Sequence, residues 1–83
     1  MQIDVKYFAS IRESLGLSHE SCETLSRTVG DFRDEMITRG EPYASTLSQG
    51  KSVRMALNQI MCNESAVLTE GCELAFFPPV TGG

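Results

Sequence analysis

The sequence predicts a small two-layer α+β domain, on three observations. Its opening segment alternates apolar and polar residues with the period of a strand. One longer segment around Phe32 repeats apolar residues with the period of a helix, and several short strand-like runs follow it. A helix placed after a strand pair has to bury its apolar stripe on one face of the sheet, which leaves the other face uncovered. With 83 residues the chain forms a single domain with one modest core.

The elements follow in order. Over residues 2–8, Ile3, Val5 and Tyr7 share one face, Gln2, Asp4 and Lys6 the other, and Phe8 falls on the polar face. Ser10 followed by Glu13 is a capping-box pattern, so a short helix carrying Ile11 and Leu15 is expected, ended by Gly16 in the left-handed conformation. Residues 20–25 read as a second strand, antiparallel to the first, with His19 in the poorly patterned loop before it. Thr28 is the expected N-cap of the main helix. Val29, Phe32, Met36 and Ile37 form its buried stripe, Arg39 sits in its last turn and Gly40 stops it. Asp31, Asp34 and Glu35 can be read as an acidic metal cluster, but acids at a helix start are usually solvated charge that offsets the helix dipole, and they are taken as that.

Beyond Pro42, Tyr43, Ala44 and Leu47 suggest one further helical turn, and Ser48-Gln49-Gly50 a turn of chain. Val53, Met55 and Leu57 alternate in a third strand, and Ile60-Met61-Cys62 form a short fourth. Ala66-Val67-Leu68 are expected to pack as an apolar loop, and residues 73–77 form the last strand, with Leu74 and Phe76 inward and Phe77 outward. Phe8, Phe77 and Met61 are therefore expected on the uncovered face, where contiguous large apolar groups mark an interface.

Composition excludes several classes of function. A net charge of -4 argues against nucleic-acid binding, which needs a basic surface for phosphates. No stretch approaches the ~20 apolar residues of a membrane span and the N-terminus is no signal peptide, so a cytoplasmic protein is expected. Cys22, Cys62 and Cys72 have neither disulfide nor zinc spacing and read as small apolar fillers. No Cys/His pair, Ser/His/Asp set or phosphate loop has a plausible context, and His19 is the single histidine. An enzyme that holds its own active site is not expected.

What remains is the tail. The domain is expected to occupy residues 1–77, with residues 78–83 as an extension that ends in Gly82-Gly83. Pro78 and Pro79 lack an N–H and end the strand. Five residues past Pro78 reach roughly 16–18 Å when extended, and glycines lacking Cβ fit a narrow channel. Such a tail suits insertion into another protein's active site, with the terminal carboxylate as the reacting group. On these residues alone, an inert end stays equally open.

Ala56-Leu57-Asn58-Gln59, Leu68-Thr69-Glu70-Gly71 and above all Phe76-Phe77-Pro78-Pro79-Val80-Thr81-Gly82-Gly83 closely resemble the small subunits of molybdopterin synthase, a family of ubiquitin-like sulfur carriers. Residues 7–16 are similar to the family's first strand and short helix. The resemblance implies the β-grasp fold, a mixed sheet with one main helix on one face. It implies that Gly83 is adenylated by a ubiquitin-activating-like adenylyltransferase at the expense of ATP. A sulfur donor protein then converts it to a thiocarboxylate, which delivers sulfur to a cyclic pyranopterin precursor inside the large synthase subunit. No cofactor is bound by the chain itself. Phe8, Met61 and Phe77 are implied to anchor the open face on the large subunit of a heterotetramer. Pro79, Thr81 and Gly82 are implied to line the path of the tail, and Arg12 to meet the activating enzyme. A ubiquitin-like protein modifier, or a carrier for thiazole or tRNA thiolation, is the alternative; a plain interaction domain with an inert tail is a third reading.

Overall fold

Alternation at the N-terminus produces β1 (Gln2–Tyr7), in which Ile3, Val5 and Tyr7 are buried. The computed structural model describes residues 1–79. α1 (Ala9–Leu15), β2 (His19–Glu23), α2 (Val29–Ile37), the single turn α3 (Tyr43–Thr46), β3 (Arg54–Leu57), β4 (Ile60–Cys62) and β5 (Glu73–Phe77) follow. The five strands form one sheet in the order β2-β1-β5-β3-β4. β1 and β5 run parallel at its centre, with Val5 beside Leu74 and Tyr7 beside Phe76, and every other pair is antiparallel. This is the β-grasp architecture that the resemblance implies.

One core forms between the sheet and the helices. Val29, Phe32 and Met36 of α2 are fully buried, with Ile11 and Leu15 of α1 and Leu47 beside them, against Ile3, Val5, Tyr7, Met55, Leu74 and Phe76. The Tyr7 and Phe76 rings stack at 6.2 Å across the central pair. Gly30 lets the start of α2 approach residue 64: its N–H donates to the Glu64 carbonyl at 2.9 Å, and a Cβ there would meet the Glu64 Cβ at 2.9 Å. Thr28 caps α2 as expected, its hydroxyl oxygen accepting from the Asp31 N–H at 3.1 Å.

Several sequence expectations are corrected. The capping box does not form. The Phe8 N–H stays bonded to the Phe76 carbonyl, the chain turns at Ala9 with φ +51°, and α1 starts there without a side-chain cap, so Ser10 and Glu13 lie inside it. Phe8 thus ends outside β1, although it remains exposed. His19 begins β2 rather than lying in a loop. α2 ends at Ile37, so Arg39 lies beyond its last turn. The third strand starts at Arg54, one residue after Val53. In the 66–68 loop Leu68 is buried, but Val67 bridges to Thr28 with its side chain exposed. Glu35 is not solvated dipole charge, because it accepts hydrogen bonds from the Thr24 and Ser26 hydroxyls. Among the described residues no group of three or more His, Cys, Asp or Glu side chains is placed to hold a metal ion.

Two charged groups lie within this frame. Arg33 of α2 is buried and donates to the carbonyls of Leu47 (2.8 Å), Ser48 (2.7 Å) and Lys51 (3.2 Å). A buried guanidinium is tolerated when its donors are used in this way. Glu20 accepts from Tyr7 (2.7 Å), Tyr43 (2.8 Å) and Arg39 (3.2 Å). Burial alone would raise its pKa, but the bonds from Tyr7, Tyr43 and Arg39 outweigh it and hold the carboxyl below its ordinary value.

Replacing Arg33 with Met removes the guanidinium from all three carbonyls; those of Ser48 and Lys51 keep a backbone donor, and that of Leu47 loses its donor. The replacement should lower stability by about 2–4 kcal/mol in urea unfolding; an unchanged midpoint would show that water replaces the guanidinium at no cost. Because the Glu20 pKa is lowered on folding, its contribution is present above the ordinary carboxylate range and lost as pH falls through the folded value. Below about pH 4 the native protein should therefore lose stability more steeply than Glu20→Gln; parallel acid-unfolding curves would rule this out.

Candidate functional site

The tail departs from the middle of the sheet. β5 lies between β1 and β3 and ends at Phe77, after which Pro78 and Pro79 leave the ladder. A proline offers no N–H to a neighbouring strand, so pairing cannot extend past Phe77. Both prolines are half-buried against the domain.

Strand register defines the uncovered face. Residues paired across neighbouring strands point to the same side. Tyr7, Phe76, Met55 and Cys62 therefore form one row on the helix side, and Lys6, Ala75, Ala56 and Met61 form a row on the opposite side. Phe77 shares that opposite side and stands beside Arg54. Phe8 and Met61 are 45% and 58% exposed, although both are large and apolar. The same face also carries the Lys6–Glu73 ion pair at 3.2 Å, with Asp4, His19 and Ser21 toward the β2 edge. Its apolar half is thus the half from which the tail leaves.

A groove lies on each side of Pro79. The first, of about 280 Å3, is lined by Ser10, Ser14, Thr46, Lys51, Ser52 and both prolines. The second, of about 420 Å3, is lined by Arg54, Met61, Cys62, Asn63, Glu64 and Pro79, among others. Cys62 is half-buried, and burial raises its thiol pKa, as it does for Cys22. Both thiols stay protonated near neutrality and are poor nucleophiles.

Of the residues singled out in the sequence, Phe77 and Met61 share the open face, and Pro79 reaches the same groove as Met61. Arg12 is exposed on α1, whose Ile11 and Leu15 enter the core on the helix side, so it does not join the open face. Thr81, Gly82 and Gly83 lie outside the described residues. Lys51 and Arg54 were not singled out, because their positions beside Pro79 depend on the β3–β5 pairing and on the loop held by Arg33.

Comparison with known proteins agrees with this fold. A model of the ThiS family matches residues 5–83. The chain belongs to the ThiS family. Molybdopterin synthase sulfur carrier subunits of Escherichia coli and Haemophilus influenzae are 38% and 35% identical to it over 81 residues, covering 98% of this chain and 99% of each relative. A putative molybdopterin converting factor subunit 1 from Pyrococcus furiosus superposes with a TM-score of 0.78 at 26% identity, over 96% of this chain and 99% of its own. A chain from the complex of subunits 1 and 2 of molybdopterin-converting factor from Helicobacter pylori shares the fold, with a TM-score of 0.69 at 23% identity and full coverage of both chains. Family membership therefore covers the strands, the open face and the tail. Among the described residues no helix is long and apolar enough to cross a membrane.

Met55 and Met61 lie on adjacent strands but on opposite faces, which gives a direct test of the face assignment. Met55→Ala should cost about 2–5 kcal/mol, whereas Met61→Ala should change stability by no more than about 0.5 kcal/mol. Similar costs at both positions in chemical denaturation would mean that the face is covered.

Proposed function

We propose that this chain is the sulfur carrier and small subunit of a molybdopterin synthase. The observation that carries the reading is an exposed apolar sheet face that runs directly into the root of a Gly-Gly tail, in a chain whose full-length relatives bear that function. A domain of this kind supplies a handle and a reactive end, and its partners supply the catalytic groups.

The chemistry follows from the terminus. A carboxylate is a poor electrophile. An adenylyltransferase joins the Gly83 carboxylate to the α-phosphate of ATP and releases pyrophosphate, which gives an acyl-adenylate. The outer sulfur of a persulfide on a donor protein attacks and expels AMP, and a thiol then cleaves the resulting acyl disulfide, taking up the donor sulfur in a new disulfide and releasing the thiocarboxylate. The tail then enters the large synthase subunit, where the Gly83 sulfur passes to the cyclic pyranopterin precursor and contributes to the dithiolene. The chain binds no cofactor of its own, and ATP belongs to the activating enzyme. Phe8, Met61, Phe77 and Pro79 meet the large subunit in a heterotetramer, Thr81 and Gly82 thread its channel, and Arg12 contacts the activating enzyme. The reaction takes place in the cytoplasm.

Burying Phe77 and Met61 at such an interface contributes roughly 25 cal/mol per Å2 of apolar surface removed from water, before the costs of association. Intact-mass spectrometry of the chain made together with its activating enzyme and sulfur donor should show one oxygen-to-sulfur exchange located at Gly83. Deleting Gly82 and Gly83 should abolish that species and all synthase activity while the thermal unfolding curve stays unchanged. A truncated chain that still supports synthesis, or lysine-linked adducts in place of the thiocarboxylate, would sink the reading.

A further inference from the structure

The buried Arg33 does more than fill the core. By holding the carbonyls of Leu47, Ser48 and Lys51 it pins the loop before β3 to α2. The Lys51 carbonyl also accepts from the Val53 N–H at 2.9 Å. The backbone at Lys51 is thus held while its side chain stays exposed in the groove on one side of Pro79. Arg54, also exposed, lines the groove on the other side and stands opposite Phe77 in register.

The remaining positive charge is arranged differently. Lys6 pairs with Glu73, Arg39 with Glu20, and Arg33 lies 3.9 Å from Glu64. Arg12, Arg27, Lys51 and Arg54 make no ion pair among the described residues, and the last two flank the point where the tail leaves. Glu64, the acid in these linings, is the one facing Arg33. A chain of net charge -4 therefore carries a local patch of the opposite sign around its tail.

We propose that Lys51 and Arg54 form a basic collar at the root of the tail, and that it docks on carboxylates around the mouth of the channel in the large synthase subunit. This rests on the sulfur-carrier reading above. Exposed ion pairs add little to the strength of a complex. Their effect is on encounter, because complementary charge raises association rates and orients approach. An acidic rim would repel most of this chain's surface and attract the collar, so the domain would arrive tail first.

The test is stopped-flow association of the full chain with the large subunit from the same organism, at low and high salt. The wild-type association rate should fall as salt rises. Lys51→Glu with Arg54→Glu should slow association about tenfold or more at low salt, with a smaller change in dissociation and an unchanged melting curve. Lys51→Gln with Arg54→Gln should give an intermediate rate, which keeps the test informative if charge reversal disturbs the fold. Arg27→Glu changes the net charge as much as Lys51→Glu but lines neither groove, and should slow association far less. A wild-type rate in the doubly reversed variant, or an equal effect of Arg27→Glu and Lys51→Glu, would overturn the collar and leave the carrier reading standing. Failure of the wild-type chain to bind the large subunit at all would instead overturn the carrier reading, and the collar with it.

Discussion

α1 and α2 bury their apolar side chains against one face of the sheet, and that one-sided covering governs the rest of the molecule. Inward rows fill with Ile3, Val5, Tyr7, Met55, Leu74 and Phe76, so strand parity directs Phe77 and Met61 outward. A change of register by one residue in β5 would exchange Phe76 with Phe77 and destroy both the core and the open face. The same parity that stabilises the fold thus sets out the surface beside the tail. Position is reinforced from within, since Phe76 stacks on Tyr7 and Tyr7 is tied by its hydroxyl to Glu20.

Periodicity made most of this legible. The stripe Val29, Phe32, Met36, the cap at Thr28, the strand at residues 73–77 and the outward Phe77 could all be read from spacing, because each depends on neighbours a few residues away. The features that escaped depend on distant partners. Arg33 lies four residues after Val29, on the stripe itself, and a charge there was a signal that something polar waited inside. Its acceptors are carbonyls 14, 15 and 18 residues onward, which no local pattern names. Glu35 was misread for a similar reason, since its donors Thr24 and Ser26 precede the helix. The capping box failed because a bond to the far end of the chain, from Phe8 to Phe76, fixed where α1 had to begin.

The candidate site was half legible for the same reason. The Gly-Gly ending could be seen directly, and so could the apolar pair. Lys51 and Arg54 looked like ordinary turn and strand charges until pairing with β5 brought them to either side of Pro79. A polar group in the core and charges at the surface turn out to be connected, because Arg33 holds the loop from which Lys51 extends.

The central position of β5 has a consequence for how the protein is made. Among the described residues the β1–β2 pair and the β3–β4 pair are hydrogen-bonded into one sheet only through β5, the last of the described strands. Pairings between distant parts of a chain form late, and here the sheet cannot be joined until residues 73–77 have left the ribosome. A product broken off before that point has neither a closed core nor the tail that follows it. It should present itself to proteases as an unfolded chain, so only copies that carry β5 persist in the cell.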